Sequence, residues 1–215
     1  MRTMILLILC TSCAIAQSVY EIPFPEGRGG LGGNVIELSI LNSSTIAVEE
    51  VKVEVRSSPE GIRFDEKSVR LKNIKSKEEQ TATFTFAVEK TVKVNKEQLL
   101  SFAITTKEGQ SWAKEIRIKV APPTVYKLYQ NYPNPFNPST VIGYELPAAS
   151  NVSLRVYDIL GREVENLLSE MQDEGYHQVT FDASRLSSGT YIYQLTVTDE
   201  QNKKQVFRKK MLLIR

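Results

Sequence analysis

The sequence predicts an all-β protein: two antiparallel β-sandwiches in tandem, joined by a Pro-rich linker, behind an N-terminal signal peptide. Three observations carry this. Apolar and polar residues alternate at period two through two separate stretches, as half-buried strands require when successive side chains point to opposite faces. A proline- and asparagine-rich run divides those stretches, and the first residues have the grammar of a cleaved leader.

The leader is assigned to residues 1–16. Arg2 supplies a positive start, residues 4–10 form an apolar run, and Ala14 and Ala16 make a small-x-small cleavage site before Gln17. The run is well short of the ~20 residues that cross a bilayer, and no later segment is long or apolar enough, so no integral span is expected. A competing reading lipidates Cys13. Both cysteines, Cys10 and Cys13, lie in the leader, so a chain cleaved before Gln17 has no thiol for disulfides or thiolate metal sites. With 27 basic against 25 acidic residues, and Arg2 lost with the leader, the balance is near neutral and gives no argument for nucleic acid.

Residues 17–33 follow, and 23–33 hold five glycines and two prolines, which predicts a flexible lead-in. A phosphate-cradling loop is excluded by context, since the glycines precede a β-patterned run and no Gly-Lys-Ser/Thr follows. Residues 34–121 then alternate. Ile36, Leu38 and Ile40 share a face, as do Val51, Val53 and Val55, then Ala82, Phe84, Phe86 and Val88, then Leu100, Phe102 and Ile104, then Ile116, Ile118 and Val120. With Val69, Leu71 and a short piece near Ile62, about seven strands are expected, which favours a sandwich. The pattern is similar to that of small immunoglobulin-like repeats in extracellular bacterial proteins, and no site is carried across from it.

Residues 122–139 are the linker and the start of a motif. Pro122 and Pro123 hold the backbone extended. The run Gln130-Asn-Tyr-Pro-Asn-Pro-Phe-Asn-Pro138 has three X-Pro steps, two of them Asn-Pro; proline removes donors and bars the preceding residue from helix, so an extended connector is expected. Tyr126, Tyr129, Tyr132 and Phe136 read as a latch onto their own domain, with a ligand platform as the alternative. Residues 140–215 repeat the β pattern through Ile142, Tyr144 and Leu146, then Val152, Leu154 and Val156, then Tyr191, Tyr193, Leu195 and Val197. Residues 163–174 suit a short strand or one to two helical turns and are read as mostly strand. The basic tail, Lys203, Lys204, Arg208, Lys209 and Lys210, reads as a strand edge or as a docking patch.

Four ordered blocks in this half carry a resemblance. They are the Asn-Pro run, Tyr157-Asp-Ile-Leu-Gly-Arg-Glu-Val164, Phe181-Asp-Ala-Ser-Arg-Leu-Ser-Ser-Gly-Thr-Tyr-Ile-Tyr193, and Lys210-Met-Leu-Leu-Ile-Arg215. Together they resemble the type A C-terminal sorting domain of the type IX secretion system. The resemblance implies a small immunoglobulin-like sandwich, related to the flagellar hook-capping immunoglobulin-like domain and read by an outer-membrane export machine. It implies release or fixation at the cell surface. On it, the sorting residues are Asn131, Pro133, Asn134, Pro135, Phe136, Asn137, Pro138, Gly161, Arg162, Glu163, Gly189, Tyr191, Lys210, Met211, Leu212 and Leu213.

Catalysis finds little support. His177 is the single histidine, so a zinc site would lack ligands, and its neighbours Asp173, Asp182 and Ser184 read as turn and strand residues rather than a triad. The pairs Glu49-Glu50, Glu78-Glu79 and Asp173-Glu174 face opposite ways on strands and do not flank a cleft. There is no calcium-loop pattern. Asn42 and Asn151 match the glycosylation sequon. No cofactor, catalytic residue or metal ligand is expected. The expected partner is outer-membrane secretion machinery. The alternative is an adhesin or carbohydrate-binding module whose N-terminal sandwich grips surface polysaccharide or another surface protein, with Trp112 and Tyr20 as its aromatics.

Overall fold

A computed structural model describes residues 3–6, 19–25 and 31–215. Among these there is no helix, and the chain divides into two compact units, Met1–Ala121 and Pro122–Arg215. The leader residues Ala14, Ala16 and Gln17, with Cys10 and Cys13, lie outside the described residues.

The first unit contains β1 (Thr3–Leu6), β2 (Val19–Ile22), β3 (Leu31–Leu41), β4 (Val48–Ser57), β5 (Ile62–Phe64), β6 (Ser68–Ile74), β7 (Glu79–Val88), β8 (Glu97–Thr106) and β9 (Ser111–Val120). They form two sheets, ordered β1-β3-β7-β5 and β2-β9-β8-β4-β6. The alternating residues meet between them. Phe84 of one sheet packs on Phe102 of the other with ring centroids 5.2 Å apart, and Ile36, Val53, Leu100 and Ile118 are fully buried. That arrangement is a sandwich core.

The lead-in 17–33 begins with a strand: β2 pairs parallel with β9, and Ile22 is buried, as is Phe24 within the 23–33 stretch expected to be flexible. Tyr20 and Ile22 alternate with Val19 and Glu21, which suffices for a short strand despite the glycines that follow. The segment between β7 and β8 also enters the core, through Val92 and Val94. In addition, β1 falls in the segment marked as leader and pairs parallel with β3 from Val35 to Leu38; cleavage before Gln17 would take that pairing away.

The second unit contains β10 (Lys127–Leu128), β11 (Ser139–Leu146), β12 (Ser150–Tyr157), β13 (Glu163–Gln172), β14 (Gly175–Asp182), β15 (Gly189–Thr198) and β16 (Lys204–Leu213). Its antiparallel sheets are β10-β11-β14 and β13-β12-β15-β16, enclosing Ile142, Tyr144, Leu154, Phe181, Tyr193, Leu195 and Met211. The ambiguous stretch is a full ten-residue strand, β13. Its register against β12 shifts twice. Such bulges turn the chain's faces over, which is why Val164, Leu167 and Leu168 have helix-like spacing and yet all pack on the core.

Candidate functional site at one end of the C-terminal sandwich

The strand register gathers the four sequence blocks at one end of this unit. β11 begins with Ser139 opposite Asp182, β12 ends with Tyr157 opposite Ile192, and β16 ends with Leu213 opposite Gly189. The Asn-Pro run enters β11 there, the 158–162 turn leaves β12 there, and the chain terminus arrives there.

The Asn-Pro run is docked along its own unit. Prolines 133, 135 and 138 have no N–H to give, so the asparagines and the remaining amides make the attachments. Tyr132 exchanges both backbone bonds with Val141, at 2.9 and 3.0 Å. The Phe136 N–H donates to the Leu212 carbonyl at 3.0 Å, the Ile214 N–H donates to the Phe136 carbonyl at 3.1 Å, and Asn134 Oδ1 accepts the Leu212 N–H at 2.9 Å. Gln130 Nε2 donates to the Lys210 carbonyl at 2.8 Å. Two blocks remote in sequence are thus one surface, laced by main-chain bonds.

Asn131 is the anchor of this segment. It is buried, and its Nδ2 donates to the Pro133 carbonyl and to Thr140 Oγ1, each at 3.0 Å. Its backbone N–H donates to Tyr193 Oη at 2.9 Å. Burial pushes the Tyr193 phenol up to about 12, against the Asn131 N–H, which favours the phenolate. Burial and the Glu145 carboxylate that accepts its hydroxyl raise Tyr129 as well. Of the four clustered aromatics, Phe136 is buried against Phe181, Tyr129 and Tyr126 are held by Glu145 and Ser150, and Tyr132 stands exposed.

The turn after β12 is built by Asp158. Its Oδ1 accepts the N–H groups of Leu160 and Arg162 at 2.9 and 3.0 Å, and its Oδ2 accepts Arg162 Nε at 2.7 Å. Partial burial works to raise this carboxyl, but the Arg162 side chain and the two amides outweigh it and hold it below the ordinary range. Gly161 takes φ +80°, a left-handed conformation that suits glycine. This tight turn carries Ile159 and Leu160 outward, 72% and 74% exposed. Glu163 meanwhile pairs with Arg155 at 3.0 Å.

The expected sorting residues therefore separate into two groups. Asn131, Phe136, Tyr191, Met211 and Leu213 are buried and hold the end together, with Tyr191 Oη donating to the Ser187 carbonyl at 2.8 Å. Pro133, Asn134, Pro135, Asn137, Gly161, Arg162, Glu163, Lys210 and Leu212 face solvent, while Pro138 and Gly189 are half-buried. Sequence reasoning did not single out Tyr193, Thr140, Ile159 or Leu160. For the last two the signal was present: large aliphatic residues inside a turn sequence are out of place unless the turn is used.

His177 lies on β14, stacked on Tyr144 with centroids 5.3 Å apart and its Nε2 2.8 Å from the Asp173 carbonyl. Asp182 caps the backbone N–H of Ser184 at 2.9 Å. The Ser184 hydroxyl donates to the same Asp182 oxygen. Among the described residues no cluster of three His, Cys, Asp or Glu could hold a metal, and no helix is long and apolar enough to cross a membrane. Asn42 is buried, with Nδ2 donating to the carbonyls of Ile46 and Ile74 at 2.8 and 2.9 Å, so its sequon is closed to modification in the folded unit.

No curated protein matches the chain. Among solved structures, dimeric latent PorU from Porphyromonas gingivalis aligns at 12% identity and a TM-score of 0.36, over 94% of this chain and 19% of that one. The chain thus spans about a fifth of PorU's length. A protein of unknown function from the same organism aligns at 15% identity and 0.34, over 90% of this chain and 96% of that one. The CupB2 chaperone of Pseudomonas aeruginosa aligns at 12% and 0.27, over 91% and 99%. The family described as "Secretion system C-terminal sorting domain" matches residues 130–210, and the C-terminal unit is accordingly a sorting domain of the type IX kind, an address for export through the outer membrane to the cell surface or beyond.

Proposed function

We propose that this is a non-catalytic secreted or surface-displayed protein, in which the N-terminal sandwich is cargo and the C-terminal sandwich is read in its folded state by outer-membrane secretion machinery. The observation that supports folded-state reading is the lacing of the Asn-Pro run to the end of β16. Only a folded unit brings Asn134 and Leu212, 78 positions apart, to one face. Rigid recognition of a preformed surface avoids the ordering cost that a disordered signal would incur. β16 is an edge strand of its sheet whose far end is taken by Gln130, Asn134 and Phe136 at Lys210 and Leu212, so strand addition by the export partner along its earlier residues is a fitting mode. The test is fusion of residues 122–215 to an unrelated passenger carrying a signal peptide, in a host with a type IX system. Passenger in the medium or on the cell surface is the expected result; retention in the periplasm of a correctly folded fusion overturns the reading.

A second reading gives the N-terminal sandwich a binding role toward surface polysaccharide. Trp112 favours it, being 40% exposed rather than core. A glycan array with the whole mature protein tests this directly.

A further inference from the structure

The C-terminal sheet β13-β12-β15-β16 ends in two edge strands of opposite charge. β13 carries Glu163, Glu165 and Glu170 and no base. β16 carries Lys204, Arg208, Lys209 and Lys210 and no acid. Every neighbouring pair in this sheet is antiparallel, so β13 runs opposite to β16, and the register carried across the sheet sets their charges at equal heights. Glu163 lines up through Tyr157 and Ile192 with Lys210, and Glu165 through Val156 and Tyr193 with Lys209. Glu170 lines up through Val152 and Val197 with Gln205, next to Lys204. The three glutamates are exposed, as are Lys204, Arg208 and Lys210, while Lys209 is half-buried. Backbone groups are in place as well. Leu212 and Lys210 turn theirs away from β15, where Phe136, Asn134 and Gln130 bond them. Alternation along an antiparallel ladder turns the groups of Arg208, Val206 and Lys204 the same way, and among the described residues no strand pairs with them there. Among the same residues β13 pairs with β12 alone.

We infer that these two edges join copies of this chain, β13 of one copy taking the start of β16 of the next as a further antiparallel strand. Charge selects the occupant. Two β13 strands side by side would set acid against acid, and two β16 strands base against base, each destabilising across a ladder. β13 against β16 instead opposes Glu165 to Lys209 and Glu170 to Lys204. The exposed apolar side chains agree with this. Met171, 53% exposed, stands level with Lys204, and Val206, 43% exposed, is the next side chain on that face of β16, so the two meet diagonally across the joint. Lysines that keep other strands off an edge thus leave this one open to an acidic strand. Because β13 already runs opposite to β16, a copy displaced sideways without reversal makes the contact. It is head-to-tail, so it repeats as an open chain instead of closing as a two-fold dimer. The inference goes beyond the export reading and does not rest on it: both use the β16 edge, but self-association is measured with no secretion machinery present.

The test is sedimentation of the whole mature protein over a range of concentrations, with two charge-reversed variants. The expected result at low salt is a weight-average mass that climbs past twice that of the monomer as concentration rises. It should fall back to the monomer in about 1 M salt, where charges are screened within about 3 Å. Glu165→Lys with Glu170→Lys makes both edges basic, and Lys204→Glu with Lys209→Glu leaves β16 with more acid than base. Each variant alone should stay monomeric, with circular dichroism showing that it is folded. Mixed in equal amounts, the two should associate again, because each then offers the edge that the other lacks; a misfolded variant could not give that rescue. A parental protein that is monomeric throughout, a mass that stops at a dimer, association indifferent to salt, association of either variant alone, or no rescue on mixing folded variants would each overturn the proposal.

Discussion

The phenol of Tyr193 is bonded to the backbone on both sides of Gln130: its oxygen accepts the Asn131 N–H at 2.9 Å and donates to the Tyr129 carbonyl at 2.8 Å. A strand from the middle of the sorting domain thereby fixes the segment that opens it. Tyr193→Phe keeps the ring and removes both bonds, leaving a buried N–H without its acceptor. The expected loss is about 1–3 kcal/mol, read as a lowered urea midpoint at unchanged m-value. An unchanged midpoint would show that the bridge contributes nothing.

The same phenol predicts alkaline behaviour. Its folded value, about 12, lies above the ordinary ~10, and burial raises Tyr129 and Tyr144 in the same direction. A raised value means that the folded state holds the proton more tightly, so this contribution is complete below the ordinary phenol value and is lost as pH rises through the folded one. Phenolate absorbance should show three of the nine tyrosines resisting ionisation until circular dichroism reports unfolding. All nine titrating together at their ordinary value, with the fold intact, would contradict this.

Gly143 on β11 lies under Tyr176. A Cβ at position 143 would sit 2.5 Å from the Tyr176 oxygen, so Gly143→Ala must push that ring aside, disturbing its edge contact with Tyr129 at 6.0 Å and the bond from Gln178 at 2.9 Å. In a Tyr176→Ala background the space is free, and alanine should be neutral or stabilising because glycine weakens a strand. The double-mutant cycle should return a coupling on the order of 1 kcal/mol. Additive effects would mean the ring moves at no cost.

The alternating strands were legible because their period matches one-sided burial, from Ile36 through Val197. What escaped was whatever depended on partners far away in sequence. Asn131 reads as motif and Asn42 as sequon, yet both are buried and bonded, since a short amide is the same letter in a loop and in a core. The faces of β13 were obscured by bulges that belong to its pairing with β12. Likewise, the four sorting blocks could be ordered along the chain but not joined, because only the register of β11, β12, β15 and β16 sets them at one end.

That geometry also decides how the export surface should be tested. Deleting residues 210–215 would remove Met211 and Leu213, which are 0% and 1% exposed, so lost export of the truncated chain would report a damaged core as readily as a lost signal. The 158–162 turn avoids the confusion. Ile159 and Leu160 touch solvent almost entirely, and the bonds that shape the turn come from Asp158, Gly161 and Arg162. Ile159→Ser with Leu160→Ser should therefore change stability by no more than about 0.5 kcal/mol. If these two side chains anchor the domain on an apolar surface of the export machinery, the same variant should accumulate in the periplasm, folded and protease-resistant, with secretion reduced at least tenfold. Secretion at the parental level would take the turn out of the docking surface and leave the Asn-Pro run with the edge of β16 as the face that is read.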